Sequence, residues 1–557
     1  MRKITMSLLS IVLGCQMVFG GIMTNTNQSA SWVRMLIRNA STDIDAVYYN
    51  PAGLSKLSDG FHISLNNQYI TQGKTVTTDY LYLNGTPKDF EGEVKAPIFP
   101  GVYAAFKIGK FVISAGFNPV GGGGSADFND GLPSFEMPAS DLVPSLNAYG
   151  IEGYSLKTNF SGTSVYYGIQ AGLTYAINDM ISIYGGARYI IAKNTYQGAL
   201  ESIMVSGTGI DPIAPDNFMY DLAALATAGA TSATGAGDGM QPLIDGGAGA
   251  FTFQQAEDNF VIDAPTRAAL EGGLLSLGYP QVAIDAMTLS VAQGSYYGAA
   301  TALTTQAATA TQTGDYFDVL LADQEVDVEQ NGTGITPIIG INISPIDALN
   351  IGIKYEFATK LELENSTATD KTTGLPMGGL IGFIPPANMI YMFPDGAKTR
   401  GDLPALLTVG ASFDVGSILT LHGGFQYYFD KSANYGKALK NEDLIDANNW
   451  EAGLAVEYYL NDKFTLSAGY QHNETGVKPI YQSDLSYSLN TNTFGGGAKY
   501  RINEMLAINL GFSYSIYKDQ TVEGLHDVGG QGVDFEDFSQ SYAKNAMVIG
   551  LGLDLSF

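Results

Sequence analysis

The residues able to do chemistry are few and scattered. Four histidines, His62, His422, His472 and His526, stand on separate stretches, with none at the spacing of a zinc-ligand set or a catalytic motif. The single cysteine, Cys15, excludes a disulfide scaffold, a Cys-rich zinc centre and an iron–sulfur cluster. Gly495-Gly496-Gly497 falls inside an alternating segment and not at a strand-to-helix turn, so it makes no phosphate cradle. Asp327 to Gly334 lacks the order of a calcium loop, and Arg400-Gly401-Asp402 reads as chance. Neither a metal nor a cofactor is expected. What remains is a set of charges that strand alternation turns to one side: the cations Arg188, Lys354 and Lys499 with the carboxylates Glu356, Glu451 and Glu457. Two uses stand open for the cations, pairing with the carboxylate of a ligand or with a nearby acid as interior salt bridges.

The elements that must carry these side chains repeat every two residues. Met547, Ile549, Leu551, Leu553, Leu555 and Phe557 are separated by Val548, Gly550, Gly552, Asp554 and Ser556. Leu506 to Ile516, Phe464 to Tyr470 and Leu419 to Tyr427 alternate in the same way. Side chains of a strand point to opposite faces in turn, so each segment has one oily face and one small, polar face. The polar face is Gly, Ser, Thr and Asn, where a soluble sandwich would show more Lys and Glu. Six tight connections, such as Gly109-Lys110 and Asn461-Asp462, alternate with seven longer ones. The longer ones fall about 73–94, 121–154, 207–324, 367–398, 431–448, 475–489 and 524–540. That rhythm predicts fourteen antiparallel strands of a transmembrane β-barrel in the outer membrane of a Gram-negative bacterium. Tyr189, Tyr427, Tyr428, Tyr458 and Tyr459 sit near strand ends, where interfacial girdles belong. A large soluble all-β protein is the alternative.

Composition agrees. The 557 residues carry a net charge of −27, with only 15% charged residues and 67 glycines. So acidic a chain excludes nucleic acid as a main partner. The acidic excess lies largely in the loops, next to lipid and lipopolysaccharide. The terminal Phe557 ends an alternating strand in the manner that barrel-assembly machinery is expected to read. A monomer is expected.

The N-terminus is an address. Arg2 and Lys3 precede an apolar run to Phe19, and small or neutral residues flank a cut after Gly20, so residues 1–20 read as a signal peptide. Val12-Leu13-Gly14-Cys15 loosely matches a lipidation box, with Cys15 as an ordinary signal residue the competing reading. Residues 21–58 follow, then the barrel over 59–557. Trp32, Val33, Met35, Leu36, Ile37, Val47, Tyr48 and Tyr49 make residues 21–58 too apolar for a free tail. Fourteen strands enclose more space than their own side chains fill, so the economical place for this segment is inside, as a plug. A periplasmic cap or a flexible tail is the alternative. The insertion 207–324 has helix-like spacing at Tyr220–Ala228 and Ala264–Leu277 and is expected to fold as a helical cap. Its leucines, Phe251, Phe253 and Phe260 would line a groove or form its core.

Three motifs resemble one family. Asn27-Gln28-Ser29, Arg34, Asp43-Ile44-Asp45-Ala46 and Tyr49-Asn50-Pro51-Ala52-Gly53-Leu54 are similar to the N-terminal hatch of the FadL/TodX type of outer-membrane long-chain fatty acid transporters. Phe117-Asn118-Pro119-Val120-Gly121-Gly122 with Asp127-Phe128-Asn129-Asp130 resembles that family's third strand and following loop, and Asp402-Leu403-Pro404 its Leu-Pro at the start of a strand. The resemblance covers the whole chain in architecture and is strong at residue level over 25–58. It implies uptake of hydrophobic molecules, long-chain fatty acids first and aromatic hydrocarbons as the other class. The ligand would bind in an apolar pocket, the hatch would shift, and the ligand would leave sideways through the barrel wall.

On that reading Arg34, Asn50, Pro51 and Ala52 belong to a gating hatch. Proline fixes φ and Gly53 permits a sharp reversal, so Asn50-Pro51-Ala52 is a gate or a stiff structural corner. Pro119 with Gly121 and Gly122 cannot form a good ladder and suits a bulge beside a wall opening, or else marks the end of the third strand. An opening lower in that strand would lie near Ser114 to Phe117. Lys193 is near a family lysine, yet parity turns it outward. Two further readings remain: a general diffusion porin or surface adhesin, and an outer-membrane enzyme with His422 as its base.

Overall fold

The computed structural model describes residues 27–371, 393–437, 439–530 and 534–557. The expected signal peptide, Cys15, residues 21–26 and most of the loop 367–398 lie outside them. Among the described residues fourteen staves form one antiparallel sheet. They are β1 (Gly60–Tyr80), β2 (Lys88–Ile108), β3 (Phe111–Phe128), β4 (Gly153–Ala176), β5 (Ile181–Gly207) and β6 (Gln324–Ile346). Then come β7 (Leu349–Glu356, resumed at Glu362–Asp370), β8 (Lys398–Arg400, resumed at Leu406–Val415), β9 (Leu419–Tyr428) and β10 (Trp450–Asn461). The last are β11 (Phe464–Glu474), β12 (Thr491–Arg501), β13 (Leu506–Tyr517, resumed at Gln520–Asp527) and β14 (Phe535–Ser556). The sheet closes where β14 pairs on β1, from Tyr80↔Phe538 to His62↔Ser556. Closure leaves no edge, the condition for a sheet in lipid.

Alternation decides which way each stave faces. Along β14, Tyr542, Ala546 and Val548 are buried while Ile549, Leu551 and Leu553 are exposed. No described helix is long and apolar enough to cross a membrane. The first staves outrun their expected length. The loop placed at 73–94 shrinks to residues 81–87, because Val76, Thr78 and Tyr80 continue the inward parity past Gly73. Tyr428, expected in a girdle, turns inward instead and donates to Glu451 Oε2 at 3.0 Å.

Residues 27–58 pack inside the barrel. Ser29 caps a short helix, Ala30–Met35, by accepting from Trp32 N at 3.0 Å. That helix ends on Leu36 in the left-handed region, φ 66°, a conformation held by full burial. A second helix, Ala46–Tyr49, leads into a 3-10 turn, Pro51–Lys56. Trp32, Val33, Leu36, Val47, Tyr48 and Tyr49 form one apolar cluster with Tyr103 and Val112 of the wall. The small inner face of the staves now has a reason. The chain from Ala30 to Asn39 winds past β14, β13, β12, β11, β10, β9 and β8 in turn, its backbone or side chains close against a glycine of each. A Cβ at Gly469 of β11 would lie 1.9 Å from Met35 O, and one at Gly511 of β13 2.6 Å from Arg34 N.

A second compact unit comprises Gly150–Ser155 and Ser202–Ala322. Two long helices, Pro215–Asp245 and Leu289–Leu320, lie antiparallel: Gly314 faces the Tyr220 ring and Gly237 the Tyr297 ring. Alanine is the commonest buried residue of both, at Ala223, Ala226, Ala230 and Ala233 on one and Ala292, Ala300, Ala307 and Ala310 on the other. The expected helices are thus found, but Tyr220–Ala228 is one part of a 31-residue helix. Phe253 is core, whereas Phe260 is 94% exposed.

Candidate functional site

The plug is fastened at both ends. Arg34 is fully buried; its Nη1 lies 2.7 Å from Glu457 Oε1 of β10 and also donates to Ser467, while Nε donates to Asn509 Oδ1 at 3.2 Å. His422 Nε2 holds the other oxygen of Glu457 at 3.1 Å. Arg38 braces the plug internally, 2.6 Å from Asp45 Oδ1 and 2.7 Å from Asp43 Oδ2. Burial opposes its charge, but those two carboxylates outweigh it and hold the guanidinium pKa well above its usual value. Lys499 of β12, 3.8 Å from Asp43, together with Arg38 holds the Asp43 carboxyl well below the usual range.

At the other end Asn50 Nδ2 donates to Asn342 Oδ1 of β6 at 2.7 Å. The carbonyls of Pro51 and Ala52 accept from Thr174 and Ser182, each at 2.7 Å. Asn50-Pro51-Ala52 is therefore bolted to the wall. Gly53 is needed for close approach and not for reversal: its φ is ordinary, but a Cβ would sit 2.3 Å from Ser41 O.

The three sequence-named cations all face inward and all meet a carboxylate. Arg188 Nη1 lies 2.6 Å and Lys354 Nζ 2.7 Å from Glu356, on opposite oxygens, with the Tyr48 ring beside both. A cavity of about 60 Å³ borders this cluster and is lined also by Leu403 and Pro404. Lys499 is engaged by Asp43. Lys193 points outward to Glu329.

The ladder between two staves of the wall is interrupted. Between β2 and β3 the pairing runs from Ile108↔Phe111 to Val102↔Phe117, stops, and resumes only at Val94↔Ala126. The β2–β3 ladder is thus broken between Val102↔Phe117 and Val94↔Ala126. Pro119 was legible in the sequence; Pro97 and Pro100, on the facing stave, were missed. Each proline removes an N–H donor, and the Gly121–Gly124 run offers neither packing nor stiffness. The outer neighbours compensate with bulges, at Gln68/Ile70 toward β1 and at Pro119/Gly121 and Gly121/Gly124 toward β4. Gly122 takes φ +93° there. Strand three is not at its end here, since it continues to Phe128. Ser114 and Phe117 are fully paired with Ala105 and Val102, so the gap lies beyond them.

Behind the gap is a cavity of about 220 Å³. Val94, Ala96, Phe99, Gly122 and Gly123 line it at the gap, Trp32 on the plug side, and Ile70 and Val548 along β1 and β14. Its far wall, β10 to β13, is polar, with Glu451, Gln471, Asn473, Thr491, Thr493, Ser513 and Ser515. Lys544 reaches into the same space, and Lys74 stands opposite it in register. Parity alone turns both lysines inward; only the closing register sets them opposite each other.

The description "Outer membrane protein transport protein (OMPP1/FadL/TodX)" matches residues 275–557, half of the chain. The chain belongs to the OMPP1/FadL/TodX family. It is accordingly an integral β-barrel of the Gram-negative outer membrane, and members of this family are transport channels, not enzymes. The enzyme reading is set aside on that ground. Outer membrane protein P1 of Haemophilus influenzae is 23% identical over 218 residues, which make up 38% of this chain and 44% of the relative. The match thus spans less than half the length of that curated relative. Two solved structures share the fold. A Pseudomonas aeruginosa FadL homologue is 13% identical with a TM-score of 0.55, over 96% of this chain and 99% of that one. A deltaS2 mutant of the TodX monoaromatic hydrocarbon channel is 12% identical with a TM-score of 0.51, over 96% and 100%. At such identities the likeness to these FadL/TodX structures speaks for the barrel alone.

Proposed function

We propose that the protein carries hydrophobic small molecules across the outer membrane, long-chain fatty acids first and aromatic hydrocarbons as the second class. A molecule binds in the lumen cavity above Trp32 and leaves sideways between β2 and β3. The single observation carrying this reading is the break in the β2–β3 ladder between Val102↔Phe117 and Val94↔Ala126, with the cavity directly behind it. A wall opening in a lipid-facing sheet is costly unless its backbone donors are removed or bonded elsewhere, and three prolines remove theirs. Such a gap gives oily cargo a way into the bilayer that bypasses the aqueous periplasm. In this scheme the plug closes the axial route, and the Arg34–Glu457 pair is its fastening. The helical unit offers exposed apolar side chains, Phe260 foremost, to incoming molecules.

Gly123 provides the test. It lines the cavity, its φ is ordinary, and a Cβ there meets nothing within 4 Å. Gly123→Trp should fold normally, fill the gap and abolish uptake of labelled oleate and naphthalene by cells. Undiminished uptake in a folded Gly123→Trp protein would refute lateral exit. Substitution at Gly121 or Gly122 is uninformative, because a Cβ at Gly121 strikes the Tyr166 ring at 2.8 Å and Gly122 has φ +93°.

A further inference from the structure

We infer that Lys74 and Lys544 form an anion-binding station at the β1–β14 seam of the lumen cavity, built to hold the ionised head of a single-chain amphiphile. The inference rests on the transport reading above and names the chemistry of the cargo's head.

Lys74 and Lys544 are direct partners in the β1–β14 ladder. Both face inward, on the parity of Val76 and Thr78 on one stave and Ala546 and Val548 on the other. Like charges placed directly opposite each other repel. Elsewhere in the lumen each such cation has an acid: Arg34 has Glu457, Arg188 and Lys354 have Glu356, and Lys499 has Asp43. Among the described residues no carboxylate lies within ion-pair distance of Lys74 or Lys544. The residues outside that set contain no Asp or Glu, so none of them supplies the missing partner. What the two ammonium groups have instead is aromatic: Lys544 Nζ stands 4.7 Å from the Tyr517 ring centre and Lys74 Nζ 5.9 Å from that of Tyr487. The cavity acid, Glu451, is turned to Gln426 Nε2 and Tyr428 OH, each at 3.0 Å.

The same cavity says what kind of anion fits. From Lys544 it extends past Val548, Ile70 and Trp32 to Val94 and Phe99 at the gap. An inorganic anion would answer the lysines and leave that apolar side unmatched. A volume of about 220 Å³ is below the ~300–1,000 Å³ typical of drug-sized sites and suits one narrow chain, not a two-chain lipid. A carboxylate or phosphate head on one alkyl tail meets both requirements, its head at the seam and its tail directed to the wall opening.

Full-length protein in nanodiscs is titrated calorimetrically with laurate, with methyl laurate of the same chain, and with lauroyl lysophosphatidate. Wild type should bind laurate roughly tenfold or more tighter than the ester. Lys74→Gln/Lys544→Gln should lose that advantage while ester binding holds, and Lys74→Arg/Lys544→Arg should keep it. The outward Lys193→Gln is the control and should change nothing. Without ligand, Lys74→Gln should raise thermal stability, as relief of repulsion requires; this readout does not depend on binding. If lysophosphatidate displaces laurate, a lipid head is the source; if it does not, the station is for free acids. Equal affinity of wild type for laurate and ester, or equal loss of both in the Gln variant, overturns the station. Should that happen while Gly123→Trp still blocks naphthalene uptake, transport stands and only the anion site falls. If neither ligand binds and Gly123→Trp leaves uptake intact, the transport reading itself fails.

Discussion

Replacing Arg34 by Ala should unfasten the plug. The wild-type guanidinium is fully buried and makes one ion pair, at 2.7 Å to Glu457, besides its bonds to Asn509 and Ser467. Removing it leaves the Glu457 carboxylate in the lumen wall beside His422. Losing one member of a buried pair costs about 3–5 kcal/mol, because the other charge is stranded. If that cost falls wholly on the seated plug, the ratio of unseated to seated protein rises by roughly 10²- to 4 × 10³-fold. The assay is single-channel recording in planar bilayers, with permeation of a small sugar into proteoliposomes as a second measure. Arg34→Ala should add frequent large-conductance events. The double variant Arg34→Ala/Glu457→Ala should be quieter than Arg34→Ala, since it strands no charge. Conductance of Arg34→Ala indistinguishable from wild type, or a double variant noisier than either single one, would refute the fastening argument.

Two further outcomes are expected. Asp43 has its pKa depressed by Lys499 and Arg38, so its contribution is present above the ordinary aspartate value of ~3.9 and is lost only as pH falls through its own lower value. Bilayer currents should therefore stay at baseline at pH 4, and Lys499→Gln should move the acid-opening midpoint upward; an unmoved midpoint counts against it. Lys437, in the loop before β10, lies 3.9 Å from the Tyr481 ring centre and is pushed down by burial to about 8. Competitive acetylation should give it a midpoint near pH 8, well below that of exposed Lys440; parallel profiles for the two would refute the shift.

Much of this molecule is readable from one sequence. The two-residue period sets the face of every side chain, so Arg188, Lys354 and Lys499 point inward and Lys193 outward. The alternation of tight and long connections gives fourteen staves. The plug shows in its apolar content, and Pro119 with its glycines marks an irregular place in the wall. Less legible were the limits of the first loop, because parity continues without a stop signal as far as Tyr80. The long helix Leu289–Leu320 went unseen, since alanine and threonine carry little amphipathic contrast.

Chain order and parity are one-dimensional and survive in the sequence; partnership across the barrel is not. Whether Arg188 waits for a ligand or is already held by Glu356, 168 residues away, depends on register between β5 and β7. The gap needed Pro97 and Pro100 to stand across from Pro119, which only the β2–β3 pairing brings about. Lys74 and Lys544 lie 470 positions apart and become neighbours because the cylinder closes on itself. A local pattern can state which way a residue faces. Only closure of the sheet decides what it faces, because each ladder contact joins segments whose separation along the chain has no bearing on their chemistry.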